Sequence, residues 1–233
     1  MYPATDYYET LAAAYVRGRL AGTDLALEHS ALFGTPLQQL DANQCRQVMA
    51  LGAAAGLRLH RFKRSVLLPR VRVVLGILRG IQPADLLDVG SGRGAFLWPL
   101  LDGFPYLSVT ALDLLDYRVA DMLAVRSGGV TTLHAVHGDI ITADIARETY
   151  DVVTMLEVLE HIPDTRAALS VAARAARHFL ILSVPSKSDD NPEHIHLFDE
   201  ATLRSLLAEV GLHRVSVQYV LNHLILVARH VEA

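Results

Sequence analysis

The sequence predicts an α/β protein with a doubly wound parallel sheet and a helical N-terminal extension. From Pro83 onward, short apolar runs alternate with helix-favouring segments, a pattern typical of a parallel sheet with helices on its faces. Residues 1–82 lack strand-like alternation and are rich in Ala, Leu and Arg, so several helices are expected there. We therefore predict two parts, an extension over 1–82 and a sheet domain over 83–233.

The composition is that of a globular protein. Of its 233 residues, 52% are hydrophobic, which is enough for a sizeable core. The single cysteine, Cys45, excludes an internal disulfide and is typical of a reducing compartment. Because the sequence has neither a signal-peptide pattern nor an uncharged apolar run of spanning length, we expect a cytoplasmic protein without a membrane partner. The oligomeric state is left open.

The extension contains residues that typically begin or end helices. Breaks are expected near Gly22, at the Gly-Thr-Pro run 34–36 and near Gly56. Thr23 and Asp41 are predicted N-caps, because each opens a helix-favouring run.

A basic segment, 46–79, closes the extension. No acidic residue lies between Asp41 and Asp85, yet this interval holds eight of the 21 Lys and Arg residues, leaving 13 to face 25 Asp and Glu. Such a segment suits either a polyanion such as RNA or Arg stems that pack against an acidic domain. Because aromatic residues for base stacking are almost absent, packing is favoured.

The first predicted strand, 86–89, ends in a glycine loop. Glycines follow at 90, 92 and 94, before a helical segment over 95–101. Glycine permits positive φ and a close backbone approach to a ligand, and the N–H groups of the next helix face that ligand. The loop also fits a dinucleotide pattern, but Asp88 would repel a pyrophosphate and suits a cationic, amino-acid-like ligand.

This strand, its acid and its glycines resemble the first motif of class I S-adenosylmethionine (SAM) dependent methyltransferases, a hydrophobic strand that ends in D/E-x-G-x-G-x-G. The resemblance implies a seven-stranded, Rossmann-like sheet with SAM as cofactor. It also implies that the helices over 1–82 cover the substrate side of the pocket. Cofactor contacts are expected from Asp88, Gly90, Ser91, Gly92 and Gly94.

The next two strands end in further candidate cofactor residues. The second, 107–113, ends in Asp113, and a carboxylate there can accept hydrogen bonds from both ribose hydroxyls of an adenosine. A helix N-cap is the structural alternative for Asp113, with Asp116 as a competing cap. The third strand spans 130–136. The resemblance implies additional cofactor contacts at Leu114, Asp139, Ile140 and Glu157.

A second functional centre follows the fourth strand, 150–156. If the chain turns helical there, Glu157, Glu160 and His161 project from one face. Two carboxylates and an imidazole on one face require a cation between them, and such donors suit Mg²⁺ or Mn²⁺, with a softer metal as an alternative.

A polar loop after the fifth strand, 179–184, contains two more histidines. It leaves the sheet edge that also carries the glycine loop, where open α/β sheets bind ligands. His194 and His196 are two residues apart, so they face one side of an extended segment.

The pattern Glu-x-x-Glu-His with a later histidine resembles metal-dependent O-methyltransferases, among them small-RNA 2′-O-methyltransferases and the catechol O-methyltransferases of ubiquinone synthesis. Here the catalytic bases are expected to be histidines: His194 takes the acceptor proton if a metal binds, and His161, oriented by Glu160, takes it otherwise. The resemblance implies metal ligands at Glu157, Glu160 and His161, with His196 or, as the alternative, His194 as the fourth.

The chain ends in a predicted helix over 199–210, with Asp199 as N-cap, and a hairpin about Asn222. Its runs, 215–220 and 223–228, would be the sixth and seventh strands, the last inserted antiparallel, as the resemblance implies.

We therefore predict a SAM-dependent methyltransferase that methylates a hydroxyl of a diol- or catechol-type small molecule, assisted by Mg²⁺ or Mn²⁺. RNA 2′-O-methylation through segment 46–79 and metal-independent O-, N- or C-methylation are the alternatives. A non-catalytic SAM-binding protein is disfavoured by the polar cluster, and an NAD-dependent oxidoreductase is disfavoured by Asp88.

Overall fold

A seven-stranded sheet forms the centre of the computed structural model, which describes residues 6–64, 67–188 and 190–229. Its strands are β1 Asp85–Val89, β2 Ser108–Asp113, β3 Leu133–His137, β4 Tyr150–Leu156, β5 Ala176–Pro185, β6 Arg214–Val220 and β7 His223–Arg229. They lie in the order β3-β2-β1-β4-β5-β7-β6. The first five are parallel, and β7 pairs antiparallel with both β5 and β6. The predicted Rossmann-like α/β fold class is thus confirmed, including the antiparallel last strand.

Helices cover the sheet and form most of the extension. The extension contains α1 Glu9–Leu20, α2 Asp24–Glu28, α3 Ser30–Gly34, α4 Ala42–Ala54 and α5 Pro69–Ile81. The remaining helices are α6 Leu97–Gly103, α7 Asp116–Ser127, α8 Thr165–Ala175 and α9 Glu200–Glu209. Within the described ranges, none of these helices has both the length and the apolar character needed to cross a membrane.

The N-caps predicted at Thr23, Asp41 and Asp199 are confirmed. The Thr23 hydroxyl accepts from the Ala26 N–H at 3.4 Å, and Asp199 caps α9 through the Thr202 N–H at 2.8 Å. Asp41 forms a capping box with Gln44, so both partners satisfy an N–H at the start of α4. Helix α7 begins at Asp116, because the Asp113 carboxylate accepts from the Leu115 N–H and keeps that residue extended.

Alternating side chains of β1 separate two apolar cores. Leu86 packs on one face with the N-terminal helices, whereas Leu87 packs on the other face with α8 and α9. This alternation follows from the two-residue period of a strand with both faces buried. The first core contains residues from both sides of the predicted boundary at 82/83, so buried side chains of the extension and the sheet are in direct contact.

Helix α1 approaches α7 to backbone contact. A Cβ added at Gly18 would lie 1.9 Å from the Ala124 carbonyl oxygen, and one at Gly128 would lie 1.7 Å from the Ala14 oxygen. These glycines provide the space that lets the extension pack on the sheet domain.

Three arginines of segment 46–79 form ion pairs with the body of the protein. Arg64 lies 2.8 Å from Asp102, Arg70 lies 3.6 Å from Glu157, and Arg61 pairs with Asp121. Arg46 pairs with Glu9 within the extension. Because these carboxylates already occupy the guanidinium groups, the structure favours the packing interpretation of the basic segment over the RNA interpretation.

Candidate active site

The glycine loop adopts the conformation that only glycine tolerates well. Gly90, Gly92 and Gly94 have φ values of +69°, +58° and +83°. Added Cβ atoms would lie 2.6 Å from the Val158 side chain at Gly90 and 2.0 Å from the Trp98 ring at Gly94. At Gly92 the nearest heavy atom would be 3.6 Å away, which leaves room beside the loop.

Asp88, the next-to-last residue of β1, is a buried carboxyl, 2% exposed. It accepts hydrogen bonds from the Ser91 hydroxyl at 2.6 Å and the Thr154 hydroxyl at 2.8 Å. Burial raises the pKa of Asp88 to about 6, opposed by those two hydrogen bonds and reinforced by the nearby charge of Asp113. A cationic group bound beside this carboxyl would lower its pKa again and stabilise the charged form.

Asp113 joins the loops that follow β1 and β2. Its carboxylate, 3% exposed, accepts from the Gly92 N–H at 2.7 Å and from the Leu115 N–H at 3.0 Å. A carboxylate has about four lone-pair positions, so it retains acceptor capacity for a ligand. The predicted alternative, an N-cap of α7, does not describe it, since that helix has no side-chain cap.

Three further residues of the predicted cofactor set, Leu114, Asp139 and Ile140, follow the ends of β2 and β3. Leu114 is 61% exposed, so its apolar surface is accessible to a ligand. Asp139 accepts from the Ile141 N–H at 2.9 Å, and Ile140 is buried against the core.

Glu157 breaks the helix that was predicted after β4. It has a left-handed φ of +58°, and a 3₁₀ turn over Leu159–His161 follows it. Its N–H donates to the Ser183 carbonyl at 2.8 Å, which keeps the backbone attached to β5 beyond the end of the strand. The prediction that Glu157, Glu160 and His161 share one helical face is therefore wrong.

The Glu157 side chain instead lies among groups that the sequence did not single out. Its carboxylate accepts from the Ser183 hydroxyl at 2.5 Å, lies 3.6 Å from Arg70 Nε, and lies 3.1 Å from His223 Nε2. With Asp88 and the glycine loop, Glu157, Arg70 and Ser183 line a cavity of about 160 Å³, here called the cofactor cavity. The only sequence signal for Arg70 was its place in the basic segment, and His223 had none beyond starting β7.

A second cluster brings together Glu160, which lies three residues after Glu157, with His161 and His194. One possible ligand atom from each lies within 4.8 Å of the others, and the two imidazole centroids are 4.8 Å apart. Glu160 is fully buried, and its backbone carbonyl accepts from the N–H groups of Ile195 and His196, which fixes the histidine loop over it. His161 Nδ1 lies 2.9 Å from the Glu193 carbonyl, so it acts as the donor there and leaves Nε2 as the free lone pair.

This geometry separates the four predicted metal ligands: Glu160 and His161 lie in the cluster, whereas Glu157 and His196 do not. Within the described ranges, the cluster that unites three possible metal-ligating side chains contains Glu160, His161 and His194. His196 turns away, with Nε2 3.1 Å from the Ile162 carbonyl and its ring against Phe198. The two histidines point differently because the loop is not an extended strand: it folds back at Asn191, whose carbonyl accepts the His194 N–H.

A family model described as a methyltransferase domain matches residues 59–217. The chain belongs to this family. Together with the glycine loop and the sheet order, the match defines a class I SAM-dependent methyltransferase, as the sequence predicted.

Curated relatives match the chain over shorter regions. The ubiquinone biosynthesis O-methyltransferase of Nitrosomonas europaea is 29% identical over 110 residues, 46% of each chain. That of Idiomarina loihiensis is 32% identical over 100 residues, 42% of this chain and 40% of the relative. An uncharacterized methyltransferase of Mycobacterium tuberculosis is 38% identical over 85 residues, 36% of this chain and 41% of the relative. Each match spans less than half of the relative.

Solved structures share the fold at low sequence identity. A SAM-dependent methyltransferase from Aquifex aeolicus has a TM-score of 0.59 at 21% identity and covers 71% of this chain and 92% of its own. The 1,6-didemethyltoxoflavin-N1-methyltransferase of Burkholderia thailandensis, solved with 1,6-didemethyltoxoflavin and S-adenosylhomocysteine, has a TM-score of 0.58 at 24% identity and covers 72% and 80%.

Proposed function

We propose that this methyltransferase transfers the SAM methyl group to a hydroxyl of a diol- or catechol-type small molecule, with help from a divalent cation. The cluster of Glu160, His161 and His194 beside the end of β4 carries the proposal, because it supplies three ligands for a cation or, when no cation is bound, a histidine as proton acceptor. The similarity to ubiquinone biosynthesis O-methyltransferases supports oxygen as the methylated atom.

The cofactor cavity supports a specific orientation of SAM. The buried Asp88 carboxyl accepts from the neutral Ser91 and Thr154 hydroxyls, so the SAM ammonium group is its expected charged partner. Arg70 lines the same cavity and suits the SAM carboxylate. Asp113 would bind the ribose hydroxyls, and Asp139 the adenine amino group, with Leu114 and Ile140 beside the ring.

The residues of the second cluster fit a divalent cation. One carboxylate and two imidazoles within 4.8 Å are a common donor set for such ions, and the Glu193 carbonyl orients His161 as an outer-shell partner would. Because two of three donors are nitrogens, Mn²⁺ or a softer ion suits the cluster better than Mg²⁺. When bound, the cation would lower the pKa of the acceptor hydroxyl as a Lewis acid.

The remaining chemistry belongs to the protein. Transfer needs the acceptor oxygen in line with the methyl carbon and the sulfur, and it releases one proton as the C–S bond breaks and the O–CH₃ bond forms. Imidazoles that hold a cation have no lone pair left for this proton, so with a cation bound the proton of the acidified hydroxyl would pass to water. Without a cation, His161 would be the base through Nε2, oriented at Nδ1 by the Glu193 carbonyl in place of the predicted Glu160, and the reaction would then extend to nitrogen or carbon acceptors.

Transfer of labelled methyl from SAM into an extract separated into small molecules, RNA and protein tests the proposal. We expect label in small molecules, lost with EDTA and restored best by Mn²⁺. In the Glu160→Gln variant, adding Mn²⁺ should no longer stimulate methyl transfer. In Glu157→Gln, the matched variant three residues earlier, Mn²⁺ should still stimulate it.

The other outcomes each contradict a defined part of the proposal. Transfer that EDTA leaves unchanged would remove the cation and make His161 the base. Label in RNA would support the 2′-O-methylation alternative. If Glu160→Gln lowered the affinity for SAM as much as it lowered methyl transfer, the variant would have a generally damaged fold. Affinity for S-adenosylhomocysteine is therefore measured in parallel.

A further inference from the structure

A second and larger cavity lies between the extension and the glycine loop. It encloses about 690 Å³ and is here called the basic cavity. Gly92, Arg93 and Ala95 line both this cavity and the cofactor cavity, so the two meet at the loop. Its volume is that of a typical small-molecule site.

Cationic side chains dominate its polar lining. Besides Tyr8 and Tyr117, the charged and titratable groups are His60, Arg61, Lys63, Arg93, Arg118 and Asp121. The one carboxylate, Asp121, is already engaged by Arg61 and lies 3.9 Å from Arg19. A protein with a net charge of −4 thus concentrates positive charge at this position, which favours an anionic ligand.

Two of the guanidinium groups have unused donors. The Nε atoms of Arg61 and Arg118 are buried and make no hydrogen bond within 6–64, 67–188 and 190–229. Arg118 also lies 3.8 Å from Asp113, so it connects the basic cavity to the predicted ribose position. Buried donors without acceptors are unfavourable, so both arginines keep unmet hydrogen-bonding capacity beside the cavity.

The rest of the wall is aromatic and apolar. Tyr8, Trp98 and Tyr117 contribute rings, and Leu68 and Met122 contribute aliphatic surface. Such a wall suits a flat, apolar body, while the cations suit a carboxylate or phosphate group attached to it.

We propose that the basic cavity binds a small aromatic molecule with an anionic group, and that this molecule is the methyl acceptor. The second half of this inference rests on the proposed function, because it needs the transferred methyl to reach a small molecule. The first half rests only on the cavity, its charge and its rings.

Trp98 offers a direct readout, because it is the only tryptophan of the chain and lines the cavity. Its emission is followed while benzoate, phenyl phosphate or the neutral benzamide is added to protein saturated with S-adenosylhomocysteine. We expect saturable changes with the two anions and binding about tenfold weaker for benzamide, since the loss of a charge-assisted contact is of that order. The stronger of the two anions identifies the group as carboxylate or phosphate.

Charge variants test the same site. Lys63→Gln and Arg93→Gln, both exposed lining residues, should each weaken benzoate binding by about fivefold or more. Arg204→Gln, which removes an arginine paired with Glu200 on α9, should leave it unchanged. Equal binding of benzoate and benzamide, or no response from Trp98, would overturn the anion site. Competition between benzoate and S-adenosylhomocysteine would assign the cavity to the cofactor.

The acceptor half has its own measurement. Methyl label transferred to the small-molecule fraction should be retained on an anion exchanger, and label that flows through would overturn this half. Benzoate binding needs neither a cation nor transfer, so it can persist when EDTA-sensitive methylation fails, and the reverse also holds. The failure of the inference and the failure of the proposed function are therefore distinguishable.

Discussion

Asp88 couples the stability of the protein to pH. Its pKa rises from an ordinary 3.8 to about 6, chiefly because it is buried. The folded state therefore binds the proton more tightly than the unfolded chain does. The resulting stabilisation is fully present below the unfolded pKa and is lost as the pH rises through 6, a total of about 3 kcal/mol.

Asp88→Asn should remove this dependence. Without SAM, the variant should unfold at a higher temperature than the parent protein at pH 8, and the two should converge near pH 4, because the parent side chain is then neutral as well. Thermal unfolding followed by circular dichroism at several pH values measures the difference. Asp116→Asn, at an exposed position three residues after the end of β2, is the control. A constant difference at all pH values would contradict the assignment.

Asp113→Ala should weaken SAM binding by about tenfold to a hundredfold, the range for loss of hydrogen bonds to a charged group. The same change releases the Gly92 and Leu115 N–H groups, so stability should fall by about 1–3 kcal/mol. Calorimetric titration with SAM measures the affinity, and denaturant unfolding measures the stability. Unchanged affinity in a folded variant would show that Asp113 does not bind the ribose.

The contact between α1 and α7 leaves no space for a methyl group. Gly128→Ala should destabilise the protein by about 1–3 kcal/mol or more, since the added Cβ meets backbone rather than a movable side chain. Gly76→Ala is the matched control, because Gly76 lies inside α5 with nothing within 4 Å of an added Cβ. It should stabilise by roughly 0.5–1 kcal/mol. Denaturant midpoints for both variants test the contact, and equal shifts would argue against it.

The two-part organisation predicted at 82/83 remains to be tested by cooperativity. Leu11 in α1 is 4% exposed and packs in the core that also contains β1 side chains. Leu11→Ala should lower the stability of one common transition by about 2–5 kcal/mol. Leu27→Ala, at a residue that is 69% exposed in α2, should have little effect. Two separate transitions in calorimetry would instead show that the extension unfolds as its own domain.

Much of the architecture follows from local patterns. The run 86–94 predicts a strand, a loop with positive φ and the start of a helix. Each of these features depends on residues that are neighbours in the sequence. The first and last residues of an element are less well determined. The third strand was predicted to begin at residue 130, but a turn between Val130 and Leu133 shifts its start to Leu133. Propensity fixes the presence of an element more firmly than its end.

The site was less predictable because its geometry depends on contacts between distant segments. Glu157 and Glu160 have helical spacing in the sequence, but pairing with β5 holds Glu157 in a left-handed conformation. Its neighbours Arg70 and His223 lie far away along the chain, one before β1 and the other on β7. No local pattern records those contacts.

The position of β7 also constrains how the chain is made. During synthesis β6 emerges from the ribosome first, yet its pairing partner in the described sheet is β7, which emerges afterwards. Until then, the apolar edge of β5 stays open, with Leu180, Ile181 and Leu182 beside unsatisfied backbone groups. A nascent or truncated chain that stops before residue 223 would therefore expose an unpaired, apolar strand edge. Such an edge binds chaperones and can start aggregation.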